Sequence, residues 1–104
     1  MTMLLFKSIY PENCGIVKLN DQLVVTNFDE KPLNPKSNLA SGAIYILSKE
    51  MLKFLSRDEY NNAKDFSNEI INKFLGKIYT YKTDNDFIDI GNIKNLKIAN
   101  SFQQ

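Results

Sequence analysis

The sequence predicts an α/β fold, in which one β-sheet is covered by helices. Short apolar runs rich in β-branched residues alternate with stretches of helical periodicity, and Pro, Gly and Asn residues separate them. No linker divides the 104 residues. A chain of this length is long enough for one small domain. We therefore expect residues 1–104 to form a single domain.

Strands are predicted first along the chain. The apolar run Met3–Phe6 predicts a buried strand. Cys14–Leu19 and Leu23–Phe28 predict two further strands, and the polar turn residues between them indicate a β-hairpin from Cys14 to Phe28. Gly42–Leu47 is a nearly continuous apolar run, which predicts a strand buried on both faces.

Helices are expected between and after these strands. Ser48 is a suitable N-cap for a helix over Lys49–Leu55. Apolar residues at helical spacing from Phe66 to Leu75 predict a second helix, which Asp65 or Ser67 could cap. Gly76 is placed to end it.

The C-terminal part is expected to continue with strands and a helix. Lys77–Lys82 predicts a strand, and Phe87–Ile90 predicts another short one. Asn92 could cap a last helix that extends to Ala99.

Composition excludes several classes of function. The net charge is +1 and Arg57 is the single arginine, which disfavours nucleic acid and anionic membranes as partners. The absence of histidine excludes histidine catalysis and histidine-ligated metals. Cys14 is the lone cysteine, and no apolar run approaches the roughly 20 residues that span a bilayer. We therefore expect a cytoplasmic protein.

Asp29-Glu30-Lys31-Pro32 follows a predicted strand. Two acids beside a lysine at a strand end could bind sugar hydroxyls and a phosphate, with Lys31 as the positive point charge. A solvated strand end would show the same composition.

Asn38–Tyr45 contains a run of small residues, among them Ser41 and Gly42. Small residues allow another group to approach the backbone closely. That group could be a ligand or a packed neighbouring element.

Phe87-Ile88-Asp89-Ile90-Gly91 places an aspartate in an apolar segment. Strand alternation would put Asp89 on the face of Phe87, where it would need a partner or a metal ion. An aspartate that faces water at a sheet edge is the alternative.

In this order and spacing, these stretches resemble the sugar-1-phosphate nucleotidyltransferases, or NDP-sugar pyrophosphorylases. The branch they resemble most contains the mannose- and heptose-1-phosphate guanylyltransferases. The matching stretches are Cys14–Val17, Glu30–Pro32, Asn38–Tyr45, Asp65–Ser67 and Asp89–Gly91. The resemblance covers the chain from about Met1 to Ala99, and implies the C-terminal portion of a Rossmann-like sheet with flanking helices and a β-hairpin.

The resemblance implies a reaction and a role for each site residue. A sugar 1-phosphate attacks the α-phosphate of a nucleoside triphosphate and releases pyrophosphate, with Mg²⁺ as cofactor. Glu30 would contact sugar hydroxyls, Lys31 would bind the sugar phosphate, and Ser41 and Gly42 would line the sugar pocket. Asp89 would be one of two Mg²⁺ ligands.

The sequence differs from the family pattern at several positions, and these differences change the expected activity. Related sequences often have Asn at the position of Ser41 and Thr at that of Asn92. The family's Gly-rich triphosphate loop and its other Mg²⁺ aspartate are not found in this sequence. We therefore expect the sugar-binding C-terminal half without the N-terminal nucleotide-binding half, inactive alone.

Two alternatives remain open for such a chain. It could be a non-catalytic module that binds sugar phosphates, or half of an enzyme that needs a partner chain. A sheet edge or apolar face left exposed would favour a homodimer.

Overall fold

The structure, a computed structural model, describes residues 1–57 and 69–102. Within these ranges the chain forms one five-stranded mixed sheet with flanking helices, the predicted α/β architecture. The strands are β1 (Thr2–Lys7), β2 (Gly15–Leu19), β3 (Val25–Glu30), β4 (Leu39–Ile46) and β5 (Tyr79–Lys82). The helices are α1 (Lys49–Leu55), α2 (Ile93–Asn100) and the 3₁₀ turns Pro11–Asn13 and Ile71–Phe74.

The strands lie in the order β3-β2-β4-β1-β5. β1 pairs antiparallel with β4 and parallel with β5, while β2 and β3 form the predicted antiparallel hairpin. Asn20 closes the hairpin turn, because its Oδ1 accepts hydrogen bonds from the backbone N–H groups of Gln22 and Val24. Leu23 adopts a φ of 62°, so β3 begins two positions later than the sequence predicted and extends to Glu30.

Alternation along the strands places apolar residues on both faces of the sheet. One cluster joins residues of β1, β2 and β3 to the segment before β5, and consists of Met3, Leu5, Val17, Val25, Phe28, Ile71 and Ile78. The other face carries a smaller cluster of Phe6, Ile16 and Ala40, against which Cys14 and Phe87 pack. The second face is the one that carries the site.

The prediction that β4 is buried on both faces is wrong. Ile44 is 54% exposed and Ile46 is 72% exposed. Leu5 lies opposite Ser41 but Met3 lies opposite Tyr45, so the residues between bulge out of the ladder. The apolar run reflects a bulged strand whose second half is open to solvent.

The predicted strand Phe87–Ile90 is also not formed; this segment is irregular loop. Alternation of apolar residues cannot make a strand where no neighbouring strand offers hydrogen bonds. β5 ends at Lys82, and the following N–H, that of Thr83, donates to the carbonyl oxygen of Leu5 at 2.9 Å. Asp89 is exposed on the loop instead of lying within an apolar strand.

Both predicted helix caps that fall in the described ranges are confirmed. Ser48 Oγ accepts a hydrogen bond from the Met51 N–H at 3.1 Å at the start of α1. Asn92 Oδ1 accepts one from the Asn95 N–H at 2.7 Å at the start of α2. No helix in the described part of the chain is long and apolar enough to cross a membrane.

The predicted second helix is described only from residue 69 onward, and its proposed caps Asp65 and Ser67 lie outside the described residues. Ile71–Phe74 forms a 3₁₀ turn rather than the end of a regular α-helix. Gly76 follows with a φ of 86°, as expected for a glycine that ends a helical segment.

β5 is an outer strand of the sheet, and its Tyr79 and Tyr81 side chains are 62% and 68% exposed. Such an edge offers backbone hydrogen-bonding groups to another strand. The homodimer expected to cover an exposed edge stays a prediction.

Candidate functional site

Glu30 and Lys31 lie where β3 leaves the sheet. Glu30 pairs with Gly15 across the hairpin, and the Lys31 N–H donates to the carbonyl oxygen of Cys14 at 2.9 Å. Lys31 has a φ of 47°, which turns the chain away from the ladder immediately after Glu30. Both side chains are exposed. The backbone is therefore anchored to the start of β2 while the two charged groups face solvent.

Ser41 and Gly42 lie at the bulge of β4. Ser41 Oγ accepts a hydrogen bond from the Ala43 N–H at 3.1 Å, and Ala43 has a φ of 57°. A Cβ atom on Gly42 would lie 3.0 Å from Cζ of Phe87. A larger residue at 42 would press on this packed aromatic ring, which supports the packing explanation left open by the sequence.

Asp89 is held in place by two elements other than its own. The Phe87 ring packs at a tilt of 42° against the Phe6 ring of β1, with ring centroids 4.5 Å apart, and so fixes the loop to the sheet. Asn95 of α2 donates a hydrogen bond from Nδ2 to the backbone carbonyl oxygen of Asp89 at 2.8 Å. These contacts leave the Asp89 carboxylate at the surface.

Asn95 was missed by the sequence-based reasoning. It is one of the buried polar residues in the described part of the chain, with 7% of its surface exposed. Its position three residues after the cap Asn92 is the signal that could have drawn attention to it, since an N-terminal turn that packs inward brings this residue toward the preceding loop.

The structure brings three of the five predicted site residues together. Ser41, Gly42 and Asp89 line one pocket of about 260 Å³, whose floor includes Phe6 and Phe87. Glu30 and Lys31 are not among its lining residues. They are connected to it through Cys14, which lines the pocket and accepts a hydrogen bond from the Lys31 N–H with its carbonyl oxygen.

A second pocket of about 340 Å³ adjoins the first and shares Phe6, Cys14 and the loop from Phe87 to Asp89. It extends toward α2 and is also lined by Asp84 and Asp86. The carboxylate of Asp84 lies 3.7 Å from Lys82 Nζ. Asp89 therefore stands between an open, partly acidic depression and the pocket at the β4 bulge.

The side chains present fit one part of a Mg²⁺ coordination shell. Within residues 1–57 and 69–102, no group of three or more acidic, histidine or cysteine side chains could hold a metal ion. Mg²⁺ usually binds one or two carboxylates together with water and substrate phosphates. An exposed carboxylate such as that of Asp89 suits one such ligand position, with phosphate oxygens required for the others.

A sequence model of the family described as nucleotidyl transferase matches residues 1–104. The chain belongs to the nucleotidyl transferase family. This agrees with the family predicted from the sequence, and the mixed sheet with its flanking helices is consistent with part of the Rossmann-like domain of such a protein.

This nucleotidyl transferase domain is similar to curated proteins named glucose-1-phosphate adenylyltransferase. It is 39% identical to that of Halalkalibacterium halodurans and 40% identical to those of Clostridium botulinum and Bacillus subtilis. Each match extends over 92 residues and covers 83% of this chain but 24% of the relative. The chain thus spans about a quarter of the length of these relatives. Because they are adenylyltransferases, the guanylyltransferase-like branch is not confirmed.

Proposed function

We propose that this chain forms the sugar-phosphate-binding part of a sugar-1-phosphate nucleotidyltransferase. The observation that carries the proposal is that the adjacent residues Ser41 and Gly42 line one pocket together with Asp89, which is far from them in sequence. The names of the relatives favour glucose 1-phosphate and ATP as the substrates. The chemistry would be attack of the sugar phosphate on the α-phosphate of the nucleotide, with pyrophosphate as the leaving group.

Glu30 and Lys31 would bind opposite ends of the same ligand. A carboxylate accepts hydrogen bonds from sugar hydroxyls, and charge assistance makes such bonds stronger than neutral ones. The Lys31 ammonium, a compact charge with three donors, would bind the phosphate. Because both backbones are anchored to the start of β2, their spacing relative to the pocket is set by the hairpin and not by a long mobile loop.

Ser41 and Gly42 would form the wall beside the sugar. A hydroxyl has one proton and two lone pairs. Since Ser41 Oγ accepts from the Ala43 N–H, its proton remains for donation to a sugar oxygen. Gly42 adds no side chain to this wall, and the Phe87 ring lies beside the position that a side chain would take.

Asp89 would hold Mg²⁺ together with the phosphates. When bound, the ion neutralises the negative charge that accumulates on the reacting phosphates. The residues described here would contribute binding and orientation, which lower the barrier by placing the reacting groups in line. A glycine-rich loop that binds the triphosphate and a second carboxylate would come from a further segment of polypeptide. The cytoplasmic location stays a prediction.

A non-catalytic sugar-phosphate-binding module is the second candidate. It is favoured by the absence, in the described residues, of an acidic cluster that could hold a metal ion. The two functions differ in one observable. A protein that contains this chain and a nucleotide-binding segment should release pyrophosphate from ATP and glucose 1-phosphate, whereas a binding module should only bind the sugar phosphate.

Binding can be tested by amide NMR spectra during titration with glucose 1-phosphate in the presence of Mg²⁺. We expect shifts that cluster at Glu30, Lys31, Ser41, Gly42 and Asp89. Lys31→Met should weaken binding by about tenfold or more, the scale of a charge-assisted hydrogen bond. Lys36→Met removes an exposed lysine from the same loop and serves as the matched control.

Separate ligands identify the group recognised. Free glucose lacks the phosphate, so its weaker binding should be the same for the unaltered chain and for Lys31→Met. Mannose 1-phosphate tests the sugar preference of the guanylyltransferase-like branch. A well-dispersed spectrum that no sugar 1-phosphate perturbs would refute the proposed function.

A further inference from the structure

The pocket of about 340 Å³ that extends toward α2, which we call the α2 pocket, is not used by the proposed function except for Asp89 on its border. Its lining includes the apolar side chains of Phe6, Phe87 and Ile98. Pockets that bind small molecules combine an apolar lining with a few polar groups that fix the orientation of the ligand. The polar groups of the α2 pocket therefore indicate which chemistry it can recognise.

Two polar side chains of this pocket satisfy each other. Ser8 is 8% exposed, and its Oγ accepts a hydrogen bond from the Tyr10 N–H at 3.0 Å. Cys14 Sγ donates to the carbonyl oxygen of Tyr10 at 3.6 Å and lies 3.2 Å from Ser8 Oγ. Because the thiol proton points at this carbonyl, the sulfur can accept the Ser8 proton. Neither side chain is left with a donor for a ligand.

Asn95 also lines the α2 pocket, but one of its polar atoms is unused. The side chain is 7% exposed, and its Nδ2 donates to the carbonyl oxygen of Asp89. No group in residues 1–57 and 69–102 donates a hydrogen bond to its Oδ1. No buried side-chain oxygen in the same ranges lacks a partner, so this oxygen is open to the pocket that Asn95 lines. The nearly buried amide therefore offers an acceptor that suits a ligand with an N–H or O–H donor.

The charged side chains that line the pocket are mostly acidic. They are three carboxylates and one ammonium group, those of Asp84, Asp86, Asp89 and Lys7, and all four residues are exposed. Such a balance favours a cation over an anion. No group of three acidic side chains in the described part of the chain could hold a metal ion. The pocket therefore suits an organic cation better than a bare metal ion.

Two further lysines close to the pocket are engaged by other groups. Lys82 Nζ lies 3.7 Å from the Asp84 carboxylate. Lys94 Nζ lies 4.4 Å from the centroid of the Tyr10 ring. Asp86 forms no ion pair within the described ranges, so its carboxylate is free to attract a cation from solution.

We propose that the α2 pocket binds a small primary ammonium ion with an aromatic body. An ammonium group has three N–H donors, of which one would bind Asn95 Oδ1. The Asp86 carboxylate would balance its charge, and the aromatic body would lie against Phe6 and Phe87. Binding at this site requires no sugar phosphate, so the inference is independent of the proposed function.

The test uses three probes that share a phenylethyl body, namely phenethylammonium, 2-phenylethanol and 3-phenylpropanoate. Each is titrated into the full chain at constant pH and ionic strength, without Mg²⁺, and followed by amide NMR spectra. We expect phenethylammonium to bind with a Kd of about 1 mM, as suits a ligand of this size. The alcohol should bind about fivefold more weakly and the carboxylate more weakly still. Shifts should cluster at Ser8, Ile98 and both the backbone and side-chain amides of Asn95, rather than at Ser41 and Gly42.

Substitutions at exposed charges test the electrostatic part of the proposal without changing the core. Asp86→Asn should weaken phenethylammonium binding about twofold to threefold and leave the alcohol unaffected. Lys7→Met should strengthen phenethylammonium binding by a similar factor, because it removes a like charge. Asp21→Asn removes an exposed carboxylate in the hairpin turn and is the matched control. Asn95→Leu removes the acceptor and should weaken binding about fivefold or more.

Several results would overturn the proposal. Equal affinities for phenethylammonium and 2-phenylethanol would show that the pocket does not recognise charge. The same shifts with methylammonium at the same concentrations would show only a general attraction of cations. An equal loss in Asp21→Asn and Asp86→Asn would have the same meaning. If phenethylammonium binds as expected but no sugar phosphate does, this site stands and the proposed function fails.

Discussion

At the scale of single residues, the loop that carries Asp89 is fixed by side-chain contacts with other elements. Asp89 lies on an irregular loop, yet its backbone is fixed by the Asn95 side chain and the loop is fixed by the Phe87 ring, which packs against Phe6. The sequence drew attention to Asp89 but assigned it a strand. The Asn95 contact shows why: a side-chain hydrogen bond to the backbone of a preceding loop leaves no periodic signal in the sequence.

The Asn95 contact leads to a prediction for the loop. Asn95→Leu keeps similar volume and the backbone N–H that Asn92 caps, but removes the donor to the Asp89 carbonyl. We expect the free energy of unfolding to fall by about 1 kcal/mol, the net value of one hydrogen bond. Urea denaturation measures this change.

Asn100→Leu is the matched control for this variant, because it makes the same substitution at an exposed position at the end of α2. An equal loss of stability in both variants would contradict a specific role for the Asn95 side chain.

At the scale of elements, the sequence predicted the helix caps correctly but did not predict the register between strands. Caps depend on a side chain and an N–H a few residues away, and both caps in the described ranges were predicted from the sequence. The bulge of β4 depends on which residues of β1 lie opposite it. It turns Ile44 and Ile46 outward, although the run of apolar residues predicted their burial.

The cap of α1 can be tested directly. Ser48→Ala removes the oxygen that accepts the Met51 N–H. We expect this to destabilise the chain by about 1 kcal/mol, a typical value for loss of an N-cap. Thermal unfolding followed by circular dichroism gives the comparison.

Ser48→Asp supplies another capping oxygen at the same position and should retain most of the stability. A similar loss in Ser48→Asp would show that the hydroxyl acts through something other than the cap.

At the scale of the whole molecule, one face of the sheet carries the main apolar core and the other face carries the candidate site. The larger apolar cluster fills one face. On the other face, Phe6 of the smaller cluster lines the pocket of Ser41, Gly42 and Asp89. A substitution in the larger cluster should therefore lower the free energy of unfolding and leave the structure of the site unchanged.

A matched pair of isoleucines tests this division. Ile78 is fully buried in the larger cluster, whereas Ile46 is 72% exposed on β4. Ile78→Val should reduce the free energy of unfolding by about 1 kcal/mol because it removes one buried methylene. Ile46→Val should change it by less than about 0.5 kcal/mol.

Urea titrations of both variants, with the amide spectra of the site residues as a second measurement, complete the test. An equal loss in the free energy of unfolding in the two variants would contradict the separation of core and site. Displaced amide signals at Ser41 and Asp89 in Ile78→Val would also contradict it.

The sequence by itself determined the fold class, the hairpin, the first strand and the two helix caps, because these follow from alternation, turn residues and hydrogen bonds between near neighbours. It also indicated Glu30, Lys31, Ser41, Gly42 and Asp89 through a family resemblance, and the family is confirmed. Tertiary structure alone decided the bulge of β4, the irregular loop around Asp89 and the contact that Asn95 makes with this loop. Each of these depends on contacts between different elements, and such contacts are set by strand register and packing that no local pattern encodes.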